Sequence, residues 1–241
     1  MYSSGYLNKL GCKQSIQEIH PIASFKKTLF AQFASAAKAL SNGNRLEILE
    51  LLAQCEYSVE DLAKITALSV ANTSHHLQQL RQAGLVTSRK EAQRVYYRLS
   101  GEDVMVLLDS LQSVAERHVA DVGRLVDTYL TAKDGMEPIS RDELTRRAKA
   151  GSVTVLDVRP AAEYAAGHLP EAVNVPLKEL KKHLGEFDPR REIVAYCRGP
   201  YCILAFEAVK LLRGKGFRAR RLQDGYPEWK RAGLPITSAV V

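Results

Sequence analysis

Residues Ile193–Phe206 read IVAYCRGPYCILAF: an apolar run, a short loop bounded by Cys197 and Cys202, and then apolar positions at helical spacing. A continuous apolar run of this kind suits a strand buried on both faces. The pattern predicts that the strand delivers Cys197 to the mouth of a tight loop. A helix opening near Cys202 would then point its first backbone N–H groups back at that sulfur. The partial positive charge at that end of a helix favours a thiolate over a thiol. The loop is therefore a candidate nucleophile site, and the rest of the chain decides whether the nucleophile is an enzyme's or a sensor's.

Strand and helix alternate around this loop. Ser140 with Glu143 caps a helix, RDELTRRAKAG, and VTVLDVR follows as a buried strand; CILAFEAVKLLRGKG reads as a helix, ARRL as a strand, and DGYPEWKRAGLPI closes the chain. Such alternation builds an α/β unit with a mainly parallel sheet, in which ligands gather at the carboxyl ends of strands. Cys197 lies at such an end.

Upstream of a linker at 132–137 the pattern changes to short helices. After an arm over 1–21 without clear period, Ile22 to Leu40 reads as a helix broken by Ser41-Asn42-Gly43. Asn44 with Glu47 reads as a capping box opening a second helix with Leu46, Leu49 and Leu52 as its stripe, and Ser58 with Asp61 opens a third. Ser69 caps a fourth helix running to about Ala83, with Ala71, Ser74, Leu77, Leu80 and Ala83 on the inward side. Asn72, Thr73, His75 and Gln79 fall on the outward side, and His76 stands between a phosphate contact and helix packing. A short helix, a turn and a longer polar-faced helix is the helix-turn-helix layout, whose side chains reach base edges in a major groove.

LVTSRKEAQRVYYRLS reads as a hairpin with Arg89, Lys90 and Arg94 near its tip. From Arg81 to Arg98 five basic residues face one acid, Glu91. That local cluster is a better sign of phosphate contact than the net charge of +7, because residues 1–135 hold 15 Lys+Arg against 14 Asp+Glu. From Glu102 to Leu130 a long helical stripe including Val104, Leu107, Leu108, Leu111, Val114, Val119, Val122 and Leu125 is more than a small domain buries alone, and a partner helix would cover it.

Two resemblances follow from these residues. The run Ser74-His75-His76-Leu77-Gln78-Gln79-Leu80, followed by Ala83-Gly84-Leu85-Val86 and a hairpin ending in Tyr97-Arg98-Leu99, resembles the winged helix-turn-helix of ArsR-type repressors over about residues 28–130. It implies a homodimer on a double-stranded DNA operator, released by a chemical signal, with a domain at 22–131. The second set of motifs is Leu156-Asp157-Val158-Arg159, Glu163 through Pro176, the Cys197 loop and Asp224-Gly225-Tyr226-Pro227-Glu228-Trp229. It resembles a single rhodanese domain, at 138–236. That resemblance implies that Cys197 carries sulfane sulfur as a persulfide and that the backbone of Arg198, Gly199, Tyr201, Cys202 and Ile203 cradles an anion. The expected partner is a small sulfur compound: thiosulfate, polysulfide or a persulfide donor.

Departures from the family patterns narrow the reading. The ArsR metal-thiolate positions fall on Ser58 and Glu60, and the position of a second-helix sensor cysteine falls on Glu50, so the upstream half lacks the usual inducer cysteines. His118 and Asp121 at i, i+3 supply two ligands, too few for a metal site, and no cofactor is expected. A tyrosine phosphatase needs arginine six residues after its cysteine, where Ile203 stands. Arg198 either stabilises a bound sulfur anion or is a solvated surface residue. Cys202 either resolves a Cys197 persulfide or packs as a small residue. Asp157, Arg159, Glu163 and His168 are expected to pair with one another and fix loops, and Cys55 to pack as a small hydrophobe.

At 241 residues the chain is long enough for two domains. It has no membrane-length apolar run and its first 20 residues lack a secretory pattern, so a cytoplasmic location is expected. The whole predicts a DNA-binding repressor that responds to reactive sulfur through Cys197; the alternatives are a sulfurtransferase tethered to DNA, or a metalloid-responsive repressor using Cys12 or Cys55.

Overall fold

The computed structural model describes residues 15–131 and 138–238, so the expected linker, Cys12 and most of the expected arm lie outside the described residues. The upstream half opens with α1 (Ser15–Leu40) and α2 (Gly43–Leu52), followed by β1 (Tyr57–Ser58), α3 (Val59–Ile65) and α4 (Val70–Gln82). A hairpin of β2 (Val86–Glu91) and β3 (Arg94–Leu99) then leads into α5 (Asp103–His118) and α6 (Ala120–Val126). Helix α1 begins at Ser15, within the stretch expected to be an arm. The cap of α2 is Asn42, which accepts from the Arg45 N–H, and not Asn44. Ser58 and Ser69 cap α3 and α4 as expected.

The two-residue strand β1 joins the hairpin to give a sheet of order β1-β3-β2, with Tyr57 opposite Tyr97 and Ser58 opposite Tyr96. Ile48, Leu49, Leu51, Leu62, Leu77 and Leu80 fill the core beneath it. The stripe expected to run unbroken from 102 to 130 is interrupted. Val119 adopts an extended conformation (φ −106°, ψ 101°) between α5 and α6. Much of its apolar face is open, including Val106, Leu107, Leu111, Val114 and Leu125, as are Phe25, Phe30 and Phe33 on α1.

The downstream half comprises α7 (Arg141–Lys149), β4 (Val153–Asp157), α8 (Ala161–Ala166), β5 (Val173–Asn174), β6 (Glu192–Tyr196), α9 (Ile203–Arg213), β7 (Ala219–Arg221) and α10 (Tyr226–Arg231). Its four strands are all parallel, in the order β5-β4-β6-β7. Alternation sorts β6 between two cores. Ile193 and Ala195 join α9 on one face, together with Cys197, while Val194 and Tyr196 pack with Leu144, Tyr226 and Trp229 on the other. Burial on both faces is why the strand reads as an unbroken apolar run. Ile139 adds a parallel bridge to Leu222, beside the edge strand β7.

Candidate functional site

Cys197 follows directly on β6, is 1% exposed, and forms a disulfide with Cys202, the residue before α9. Their α-carbons lie 6.2 Å apart, within the range a disulfide spans. The intervening loop is tight. The Cys202 N–H donates to Gly199 O at 3.1 Å, and the Tyr226 N–H donates to Cys197 O at 3.0 Å. This corrects one element of the expected cradle, because the Cys202 N–H already has a partner within its own turn.

Gly225 makes the loop possible from the other side. A Cβ there would overlap the Gly199 nitrogen and the Arg198 carbonyl carbon. The Gly225 N–H in turn donates to Glu228 Oε2 at 2.8 Å. Burial raises the pKa of the Glu228 carboxyl.

Arg198 is not a solvated surface residue. Its Nη2 donates to Glu163 Oε1 at 2.6 Å and its Nε lies 3.1 Å from both carboxylate oxygens, with 14% of the Arg198 side chain and none of Glu163 exposed. Burial works against the Arg198 charge, but its hydrogen bonds to Glu163 outweigh that and raise its pKa. Asp157 and Arg159 form a second buried pair, with Arg159 Nη2 donating to Asp157 Oδ2 at 2.6 Å and to Gly167 O at 2.7 Å. Tyr196 also donates to Asp157 Oδ2, at 2.6 Å. His168 stacks on Tyr164 at 3.7 Å between ring centroids and places Nδ1 2.9 Å from the Tyr164 carbonyl. All four residues are thus held in pairs or against loops.

The loop faces the upstream half. Gln54, just beyond α2 and 4% exposed, donates to Arg198 O at 3.3 Å and accepts from Arg159 Nη1 at 3.1 Å. Tyr57 of β1 donates to Glu163 Oε1 at 2.6 Å. A cavity of about 150 Å³ lies between α2, α5 and the loop, lined by Leu46, Glu50, Leu108, Pro200 and Tyr201 among others. Burial raises the pKa of the Glu50 carboxyl, with Arg198 opposing the shift. Cys55 is the one free cysteine among the described residues; burial pushes its thiol up to about 11, and it packs against the upstream core as a small hydrophobe.

The second candidate surface is α4 with the hairpin. Asn72 and His75 are exposed, Gln79 is half-buried, and the His75 and Gln79 side chains lie 2.9 Å apart. Gln79 Oε1 also accepts from Arg45 at 2.6 Å, which fixes its orientation. His76 is half-buried and burial lowers its pKa, favouring the neutral ring. Thr73 departs from expectation: it is fully buried, with its hydroxyl donating to Ser69 O at 3.0 Å. The inward face of α4 is therefore Thr73, Leu77 and Leu80, and Ala71 is exposed.

At the hairpin tip Arg89 is held by Glu56 at 2.7 Å and by Glu91. Lys90 and Arg94 are exposed and, among the described residues, neither has an acidic partner. His118 and Asp121 are separated by the break at Val119, and Asp121 pairs with Arg124. Among the described residues no three His, Cys, Asp or Glu converge as a metal site, and no helix is long and apolar enough to cross a membrane.

Comparison with known proteins divides the chain in the same way. Residues 42–88 match the model of the bacterial regulatory protein arsR family, and residues 140–232 match the rhodanese-like domain. The HTH-type transcriptional regulator Rv0324 of Mycobacterium tuberculosis is 47% identical over 211 residues, 88% of this chain and 92% of its own. A sulfurtransferase of Allochromatium vinosum is 31% identical over 102 residues, 42% of this chain and 94% of its own. Among solved structures, the homodimeric winged helix-turn-helix domain Mb0332 of Mycobacterium bovis is 46% identical, covering 40% of this chain and 89% of that one, with a TM-score of 0.38.

Proposed function

We propose, for a chain that belongs to the arsR family of bacterial transcriptional regulators and ends in a rhodanese-like domain, that reactive sulfur enters at Cys197 and changes the protein's grip on its operator. The observation that carries this reading is the Cys197–Cys202 disulfide, in a loop that rests on the DNA-reading half.

The chemistry balances with a persulfide donor, RSSH. The Cys197 thiolate attacks the terminal sulfur of the donor, the donor's S–S bond breaks, RS⁻ leaves, and Cys197 carries S–SH. The Cys202 thiolate then attacks Cys197 Sγ. The disulfide forms and HS⁻ departs, so the dithiol is oxidised by two electrons and the sulfane sulfur is reduced. The backbone of Arg198, Gly199, Tyr201 and Ile203 offers the anion cradle, while Arg198 itself is engaged by Glu163.

On the DNA side Asn72, His75 and Gln79 face bases, His76 lies near the backbone, and Lys90 and Arg94 meet phosphates, with Arg89 held between two acids. The open apolar faces of α1, α5 and α6 are covered by a second copy of the chain.

The test is a DNA titration of the full chain with and without inorganic polysulfide. Cys197→Ser is expected to keep wild-type affinity for DNA and to lose the response; a variant released as readily as wild type would refute the reading. The similarity to a sulfurtransferase favours a second reading, in which the domain also turns over. Thiocyanate formation from thiosulfate and cyanide, abolished by Cys197→Ser, would establish it.

A further inference from the structure

We infer that Tyr57 and Glu163 form the mechanical link between the sulfur loop and the DNA reader; the inference rests on the sulfur-responsive reading above. Arg198, the residue bonded directly to Cys197, is anchored twice. Its guanidinium is held by Glu163 and its carbonyl by Gln54. Glu163 Oε1 is shared, accepting at 2.6 Å from Arg198 Nη2 and at 2.6 Å from the Tyr57 hydroxyl.

Tyr57 is the first residue of β1. Its register partner is Tyr97 of the hairpin strand β3, and its neighbour Ser58 pairs with Tyr96 and caps α3. One ion pair and one hydrogen bond therefore separate the residue after Cys197 from both the basic hairpin and the first helix of the helix-turn-helix.

Burial favours this route over the exposed contacts to α5, while Gln54, itself 4% exposed, anchors the same loop to the end of α2. Glu163 is wholly buried and Tyr57 is 6% exposed, so water cannot take the place of a displaced partner. The remaining contacts from the loop and α10 to α5 are Tyr201 with Glu116 at 2.9 Å, Lys230 with Glu102 at 3.6 Å, and Arg231 with Asp109. The Tyr201–Glu116 bond is exposed, as are the two side chains of the Lys230–Glu102 pair. Solvent replaces such contacts at little cost.

The disulfide closes the loop across Arg198 and fixes where its guanidinium sits. Opening the disulfide, or placing a further sulfur on Cys197, moves Arg198, and Glu163 must then release either Arg198 or Tyr57. The choice is transmitted to β1. Coupling of this kind is reciprocal: whatever factor the loop's redox state imposes on DNA affinity, DNA imposes on the loop's reduction equilibrium. A tenfold factor corresponds to about 30 mV for a two-electron couple.

Full-length wild type, Tyr57→Phe and Glu116→Gln test the link. The probe is a duplex selected from a random pool by the reduced protein, titrated against the dithiol and the polysulfide-treated forms. Mass spectrometry of Cys197 and Cys202 accompanies each titration, with the reduction midpoint measured with and without the duplex. Wild type and Glu116→Gln are expected to show a ratio of DNA affinities of about tenfold between forms. Tyr57→Phe keeps the ring in the core and forms the disulfide normally, but its ratio falls toward unity and the DNA-induced midpoint shift disappears. If Tyr57→Phe retains the wild-type ratio, the link is wrong while the sulfur response stands. If wild type itself shows no difference between forms, the sulfur-responsive reading fails, and the link with it.

Discussion

The two halves of the molecule use their positive charge in opposite ways. Residues 136–241 hold 19 Lys+Arg against 13 Asp+Glu, yet the arginines there are largely engaged: Arg141 with Asp224, Arg147 with Glu143 and Glu192, Arg220 with the same two acids, and Arg159 and Arg198 in buried pairs. The upstream half is nearly neutral, but its Lys90 and Arg94 stand exposed at a hairpin tip, without acidic partners among the described residues. Counterion release depends on cations free to meet phosphate. The half with the smaller surplus is therefore the one built to hold DNA, and most of the downstream arginines named are engaged in ion pairs within their own half.

The largest effect that would sharpen this contrast is on stability. Asp157→Ala leaves Arg159 buried without its carboxylate, and removing one partner of such a pair is expected to cost about 3–5 kcal/mol. Denaturant unfolding of the downstream half would show it, and a loss below about 1 kcal/mol would mean that the pair is not buried as described.

Next comes binding. Arg94→Ala is expected to weaken DNA binding and to lower the salt slope by about 0.9 for each hairpin engaged, whereas Lys181→Ala in the downstream half leaves the slope unchanged. Equal slopes for the two variants would erase the distinction between the halves.

The smallest effect concerns Glu50, whose carboxyl pKa is raised by burial between the halves. A carboxyl with a raised folded pKa ionises more readily when unfolded. It therefore contributes no penalty below its unfolded pKa and destabilises the fold as pH rises past that value. Glu50→Gln removes this penalty. The variant is expected to melt slightly above wild type at pH 7–8 and level with it near pH 4, and a lower melting temperature at neutral pH would reverse the assigned sign.

What was legible in the sequence was what is local. The buried strands β4 and β6, the serine caps at 58, 69 and 140, and the cysteine loop all rest on patterns a few residues long, and the structure has them where those patterns put them. Thr73 escapes such a reading because a β-branched hydroxyl counts as polar by type, yet with its donation to the preceding turn made it buries like an aliphatic residue. The break at Val119 has neither proline nor glycine at the site to announce it. Strand β1 is two residues long and has no period to detect. The contacts that join the halves, Tyr57 with Glu163 and Gln54 with Arg159, bridge more than 100 positions, and no local spacing encodes them.

Gly225 has a further consequence, for the variation the protein can tolerate. The space its missing side chain leaves is filled by the backbone of Arg198 and Gly199, and a peptide group, unlike a side chain, cannot rotate aside. Alanine, the smallest replacement, would already lift the loop from its seat. Position 225 thus admits one amino acid for a steric reason, and mutational scans would mark it as sharply as Cys197 although it carries no reactive atom.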